Sequence, residues 1–541
     1  MSFELRDRDL LGRIGRLNTK GGAVETPAFM PVINPVSQVL PPKRMREEFG
    51  CEILITNSYI IKKHFGDQPD LKVHQLLDYD GVITTDSGAY QILVYGGVET
   101  SPDEIIRFQQ SIGSDIAVIL DIPTGWNVPR EKVEWTVEET LRRAEAALPL
   151  IEGDDTLWVG PVQGGAHLDL VERSAQRVGK MPFPIHALGS PTEVMENYRF
   201  NVLVDMIMAA KRNLPPDRPF HLFGAGHPMM FSLAVALGCD LFDSAAYALY
   251  AKAGRYLTTL GTMKLKDLSY LPCSCPICRK YGADELKGMI KGERVKALTE
   301  HNLHVTMTEM ETVKQAIVEG TLWELMEARS RGHPALASAV KGLFKYRDFL
   351  ERGSPSYKGR GVFIFDSMGL ARPKVTKHLR RLEEQFIPSL NQKKVVLIPA
   401  PPKRPYNKTQ EYRSLERRLR NELDDSENVQ ICFYSAPFGV TPAELSETYP
   451  LSQFEIADPP DIETLIFTAE NIATFVAETD SKTVILISGG DELDKWVTAR
   501  CEQVCEEKGR EIEVISCPDA WSEETLNELL SILKRSGKGG V

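Results

Sequence analysis

Four apolar runs in the first half of the chain stop abruptly at a side chain that can carry charge or a proton. Gly81–Thr85 ends at Asp86, Ile116–Leu120 at Asp121, Leu157–Val162 at Gln163, and Leu241–Phe242 at Asp243. A short, β-branched-rich run that ends in a polar residue reads as a buried strand whose last side chain emerges at a rim. Carboxylates gathered at one rim can divide nucleophilic attack and proton transfer between them, and Asp243 is the leading candidate to carry the chemistry. Each acid also has a plainer role open to it, as N-cap of the next helix. Three carboxylates and a glutamine at four strand ends are harder to account for in that way. Asp115 and Asp240 precede their strands and are expected to be surface or capping residues.

A second constellation follows Asp243. Cys273, Cys275 and Cys278 fall within six residues, and the total of nine cysteines is odd. A disulfide framework would spread them out, so the cluster reads as metal-ligand spacing in a reducing compartment. Either His301 or His304 could complete the set. Three thiolates and one imidazole close a tetrahedral site and leave no position for water, so one structural Zn2+ per chain is expected, with no part in the chemistry.

The elements that must position these residues alternate regularly. Further apolar runs are Thr26–Val32, Glu52–Thr56 ending at Asn57, Pro184–Leu188 ending at Gly189, and His221–Phe223 ending at Gly224, which makes eight candidate strands. Helical patterns lie between them: Ser101-Pro102-Asp103-Glu104 places an N-cap serine, a proline and acids at a helix start, and Val133–Leu148 has apolar residues three and four apart. This rhythm predicts an α/β fold of (β/α)8 TIM-barrel type, with a doubly wound open sheet as the alternative. The barrel accounts better for polar residues at the ends of many strands, since all then face one mouth.

A chain of 541 residues exceeds one ordinary core, and two domains are expected: 1–350, a barrel with a zinc-binding insertion, and 351–541, a smaller α/β accessory domain. Arg352–Gly361 reads as the linker. Beyond it, Val362–Phe365, Val395–Ile398, Val429–Phe433, Val484–Ser488 and Ile512–Ser516 suggest a mainly parallel sheet, and Asp366 a simple cap. A charged N-terminus and no apolar stretch near the roughly 20 residues of a membrane span predict a cytoplasmic protein without membrane association. A net charge of -11 argues against nonspecific coating of nucleic acid. The exception is Arg372–Arg420, with 14 Lys and Arg against 4 Glu. Arg380, Arg381, Lys403, Arg404, Arg417 and Arg418 are either phosphate contacts or a solvated face balanced by nearby acids.

Five motifs occur in order: Asp86-Ser87-Gly88-Ala89-Tyr90-Gln91, Val162-Gln163-Gly164-Gly165, His221-Leu222-Phe223-Gly224-Ala225-Gly226-His227-Pro228, Asp243-Ser244-Ala245-Ala246-Tyr247-Ala248-Leu249-Tyr250-Ala251 and Pro272-Cys273-Ser274-Cys275-Pro276-Ile277-Cys278. Together they resemble the archaeal-type tRNA-guanine transglycosylases, over roughly residues 8–310. The resemblance implies exchange of guanine at position 15 of the tRNA D-loop for 7-cyano-7-deazaguanine, a step towards archaeosine, in a homodimer that binds tRNA. Exchange with retention at the anomeric carbon calls for two displacements through a covalent intermediate. The residues alone leave open which of Asp243 and Asp86 attacks; the resemblance makes Asp243 the nucleophile and Asp86 the general acid/base. Asp121 suits the N–H donors of guanine and the Gln163 amide its carbonyl, with backbone N–H groups around Ala187, Leu188 and Gly189. Ser190 stands where a second glycine is common in the family, and Tyr90 is either a base-stacking or a core residue. The family pattern favours His301 over His304 as the metal ligand. Many relatives end in a small RNA-binding module; here it is expected to be absent or on a separate chain. The rival readings are an archaeosine synthase-like paralogue and a catalytically silent tRNA-binding subunit, and both sit poorly with two intact carboxylate motifs.

Overall fold

The structure, a computed structural model, describes residues 3–68, 70–89, 100–386, 394–423, 426–479, 481 and 483–535. Tyr90 and the terminal Ser536–Val541 lie outside the described residues. The chain divides into two compact units, Met1–Pro355 and Ser356–Val541.

In the first unit, three antiparallel strands come first: β1 (Phe3–Asp9), β2 (Gly12–Thr19) and β3 (Gly22–Thr26). Eight parallel strands then close a barrel: β4 (Ala28–Ile33), β5 (Ile53–Asn57), β6 (Val82–Asp86), β7 (Ile116–Val118), β8 (Leu157–Val162), β9 (Ile185–Leu188), β10 (Phe220–Leu222) and β11 (Leu241–Ser244). They pair in chain order, and β11 closes onto β4 with Asp243 opposite Met30. All eight runs read from the sequence are strands of this barrel; β7 ends at Val118, two residues earlier than its apolar run.

Side chains of a strand alternate between the two faces of a sheet, and here one face is the lumen. Ala28, Met30, Ile53, Ile55, Val82, Ile116, Val118, Val159, Ile185, Ala187 and Leu241 fill it. Intervening residues such as Ala117, Ile119 and Trp158 pack outward against Val133, Val137, Leu141, Ala144 and Ala147 of the helix Arg130–Ile151. The helix after β6 starts as its sequence predicts: Ser101 Oγ accepts from Glu104 N, and the Glu104 carboxylate accepts from Ser101 N.

The N-terminal sheet was not legible in advance, because its strands alternate with charges and glycines. Phe3, Leu17 and Val24 join the lumen cluster at the N-terminal end of the barrel. This end corrects two expectations. Asp240 is buried and accepts two bonds from the Arg13 guanidinium, at 2.7 and 2.8 Å, and one from Phe220 N at 2.8 Å. Asp115 is buried too, with Ile83 N at 2.8 Å and His74 Nε2 at 3.0 Å. Both acids sit at strand starts that the other elements cover.

A hairpin of β12 (Arg255–Thr258) and β13 (Gly261–Lys264) follows the barrel strands in the first unit. In the second unit, β14 (Val362–Ile364), β15 (Lys394–Pro399), β16 (Val429–Ser435), β17 (Gly439–Pro442), β18 (Phe454–Ile456), β19 (Thr483–Ser488) and β20 (Glu511–Ser516) form two sheets. The larger has the order β17-β16-β15-β19-β20; its pairs are parallel except the β16–β17 edge. Helices on both faces bury clusters around Val396, Phe433 and Ile485 on one side and Leu397, Tyr434 and Leu486 on the other. β14 pairs with β18 instead of joining this sheet, and its middle residue Phe363 is 43% exposed, so it lacks the two buried faces of a central strand. Asp366 caps a short 3-10 turn by accepting from Met368 N. Among the described residues no helix is long and apolar enough to cross a membrane.

Candidate active site

Continuing the lumen alternation by one more step brings polar side chains to the C-terminal mouth of the barrel: Asn57 follows Ile53 and Ile55, Asp86 follows Val82 and Thr84, Gln163 follows Val159 and Pro161, and Asp243 follows Leu241. The strand rhythm thus aims these groups at one volume.

Asp86 is held from several sides. Asn57 Oδ1 accepts from Ile60 N at 2.9 Å as the cap of its helix, which turns its amide nitrogen to Asp86 Oδ2 at 2.8 Å. Ser58 Oγ donates to the Asp86 carbonyl at 2.7 Å, and the N–H groups of Gly88 and Ser87 donate to its carboxylate. Burial nonetheless pushes the Asp86 carboxyl up to about 7, with the neighbouring charges of Asp121 and Asp243 acting in the same direction. Among the described residues Asp243 receives its partners on one oxygen: Gly224 N donates to Oδ1 at 2.9 Å and His221 Nε2 lies 2.8 Å from the same atom.

Asp121 and Gln163 form a second pair. Gln163 Oε1 accepts from Thr124 N and from Ser190 Oγ, both at 3.1 Å, so its amide nitrogen turns to Asp121 Oδ2 at 2.5 Å. Burial raises the Asp121 carboxyl to about 6 although the Gln163 bond opposes it. The backbone donors expected beside this pair look different in three dimensions. Ala187 and Leu188 are fully buried inside β9, and Gly189 N donates to Val162 O at 2.9 Å. What Gly189 supplies is room, because a Cβ there would lie 2.1 Å from Gln163 Nε2. Ser190 takes φ of 62°, a region that favours glycine, and its hydroxyl makes a bond to Gln163 that glycine could not.

The structure therefore brings Asp86, Asp121, Gln163 and Asp243 together and adds Asn57, His221 and Thr124, to which the sequence assigns no role. Asn57 ends a strand run as Asp86 does, which was the available signal. An imidazole inside the run His221–Phe223 carries none.

Cys273, Cys275, Cys278 and His301 form a separate cluster whose ligand atoms lie within 4.8 Å of one another. Cys275 Sγ and Cys278 Sγ are each 3.4 Å from His301 Nδ1. Ligand bonds of about 2.3 Å to sulfur and about 2.0 Å to nitrogen put tetrahedral S and N ligands roughly 3.5 Å apart, so the set could hold a metal ion and its chemistry is compatible with zinc. The ring is turned for this: His301 Nε2 pairs with Leu257 O at 3.0 Å, leaving Nδ1 for the thiols, and Tyr256 stacks on it at 3.7 Å. His304 packs on Phe49 instead, with ring centroids 4.4 Å apart.

In the second unit the basic stretch divides. Arg372 and Lys374 are buried, Arg380 pairs with Glu384, Arg418 with Glu422 and Glu523, and the Arg404 guanidinium packs over Phe454 at 3.7 Å. Arg381, Lys403 and Arg417 are exposed.

A family model described as queuine tRNA-ribosyltransferase matches residues 8–335, and a second, described as a domain of unknown function, matches 375–533. The tRNA-guanine(15) transglycosylase of Aeropyrum pernix is 45% identical over 460 residues, 84% of this chain and 87% of that protein. The protein of that name from Haloferax volcanii is 43% identical over 481 residues, 88% of each chain. That of Thermococcus kodakarensis is 48% identical over 388 residues, 70% of this chain and 66% of the relative.

Proposed function

This chain belongs to the queuine tRNA-ribosyltransferase family, and on that premise we propose that it exchanges guanine at position 15 of tRNA for 7-cyano-7-deazaguanine, towards archaeosine. The observation that carries this reading is the convergence of three carboxylates on one barrel mouth, Asp121 buried and Asp86 and Asp243 partly so, with Asp243 bonded through Oδ1 among the described residues and Asp86 poised to hold a proton near neutrality.

Asp243 Oδ2 attacks C1′ of the nucleotide as the C1′–N9 bond breaks, and protonated Asp86 gives its proton to the departing guanine. N9 of the incoming base then attacks C1′, the C1′–Oδ2 bond breaks, and Asp86 takes the proton from the base. The Asn57 amide keeps Asp86 in place throughout. Asp121, ionised, accepts from the base N–H groups, and the second N–H of the Gln163 amide donates to its carbonyl. Gly189, after Ala187 and Leu188, keeps the pocket open for Gln163.

Residues 1–350 are the catalytic domain on this reading. Zn2+ at Cys273, Cys275, Cys278 and His301 is structural, since four protein ligands leave it no open position. The exposed cations of residues 351–541 meet tRNA phosphates. Family resemblance supports a homodimer, and the clustered thiols support a cytoplasmic location.

The decisive experiment mixes protein and tRNA, denatures, and looks for a covalent adduct. Wild type should form one and Asp243→Asn none; an adduct in Asp243→Asn would overturn the assignment. Release of labelled guanine in the presence of 7-cyano-7-deazaguanine tests the reaction itself. No exchange by metal-replete protein would leave the paralogue or the silent subunit as the better reading.

A further inference from the structure

The lumen of a barrel is normally filled by branched apolar side chains, and packing gives no reason for an imidazole there. His221 occupies such a position on β10, beside Leu241 of β11 and only 1% exposed, with its ring against the Phe223 ring at 4.5 Å. Its Nε2 lies 2.8 Å from Asp243 Oδ1, the oxygen that also receives Gly224 N. An ionised carboxylate can only accept, so Nε2 carries the hydrogen. Among the described residues none bonds Asp243 Oδ2, and the side chain keeps 14% exposure, which leaves Oδ2 as the oxygen facing the mouth.

We propose that His221 is a positioning residue that, with Gly224 N–H, holds Asp243 Oδ1, selects Oδ2 as the attacking atom, and makes Asp243 a good leaving group in the second displacement. The inference rests on the reading of Asp243 as nucleophile. The two displacements need opposite things of this carboxylate. Once Oδ2 has bonded C1′, Oδ1 is the carbonyl oxygen of an ester and holds little charge. As the incoming N9 attacks and the C1′–Oδ2 bond breaks, the electron pair returns to the carboxylate, and the two donors already face the oxygen that shares it. A donor of this kind stabilises the free carboxylate most, the transition states less and the ester least. Removing it therefore slows release from the ester without slowing formation of the ester in the same proportion.

That asymmetry supplies a readout that loss of packing would not. Adduct formed with tRNA is chased with labelled guanine, and its decay is followed on denaturing gels for wild type, His221→Phe and His221→Gln. His221→Phe fills the space without a donor, and its adduct should decay about 10- to 100-fold more slowly and accumulate at steady state. The KM for guanine should stay near the wild-type value. His221→Gln restores an N–H near the place of Nε2 and should recover most of the decay rate. His221→Leu repeats the test with a smaller apolar group should the phenylalanine variant lack a cooperative unfolding transition. Wild-type decay in the apolar variants, or loss of adduct and exchange in parallel, would overturn the proposal. An adduct in Asp243→Asn would instead overturn the reading beneath it, whatever the His221 variants do.

Discussion

At the scale of single residues, the site works through two carboxyls displaced from their ordinary range by burial. Asp86, raised to about 7, keeps its proton below that value and loses it as pH rises through it. Proton donation to departing guanine should fail in the same direction, so single-turnover adduct formation should fall about tenfold per pH unit above about 7. Asp121, raised to about 6, is ionised above that value and protonated below it. The KM for guanine should accordingly rise as pH falls through about 6, and this limb should vanish in Asp121→Asn, whose KM is high at every pH. Steady-state and single-turnover rates across the neutral range check both limbs. Gly189→Ala places a Cβ 2.1 Å from Gln163 Nε2 and must displace that amide. We expect a rise of roughly tenfold or more in the KM for guanine with tRNA affinity unchanged, measured by exchange kinetics and filter binding. Asp86, Asp121, Gln163 and Asp243 were legible because each ends an apolar run. Asn57 ends a run too, but its role, like that of His221, lies in which oxygen it faces on a neighbouring strand.

Among the elements, the long helix Lys291–Glu319 ties the candidate metal segment to the region after β11, the strand that carries Asp243. From it His301 reaches the cysteine cluster and Leu257 O, while Asn302 accepts from Leu257 N and donates to Tyr247 O and Arg255 O. Tyr247 belongs to the helix Ala246–Lys252, which begins three residues after Asp243. Metal bound here stabilises the folded segment, since no such site exists in the unfolded chain. His301→Ala should lower metal content from about one per chain to near zero and depress the unfolding midpoint, by metal analysis and calorimetry. His304→Ala should leave the metal content unchanged, because that ring packs on Phe49. The cysteine spacing was plain in the sequence. Choosing between two histidines three residues apart took the helix, which turns them to different neighbours.

For the whole molecule, the organisation is a closed barrel followed by a second α/β unit that matches a domain of unknown function. The cations of Arg372–Arg420 looked uniform along the chain, yet several are buried or paired with Glu. Exposed Arg381, Lys403 and Arg417 are the better probes of tRNA binding. Replacing all three by Ala should reduce the slope of log affinity against log salt by roughly 2 to 3, from about 0.7–0.9 per phosphate contact. An unchanged slope would assign this face to solvent. Guanine KM should not respond, as the proposed base-binding pair Asp121 and Gln163 is left intact.

What the sequence determined by itself is what local chemistry can encode: eight apolar runs at barrel rhythm, polar residues where they stop, and a metal-ligand spacing. Strand formation and ligand identity depend on side chains a few positions apart, so they are written contiguously. The tertiary structure decided the rest. It buried Asp240 against Arg13, a partner 227 residues away, enclosed Asp115 at a strand start, and removed β14 from the main parallel sheet. It also set His221 and Gly224 N against the same oxygen of Asp243. Each of these depends on register and on closure of the barrel, which bring distant residues together and leave no mark in the local pattern of the chain.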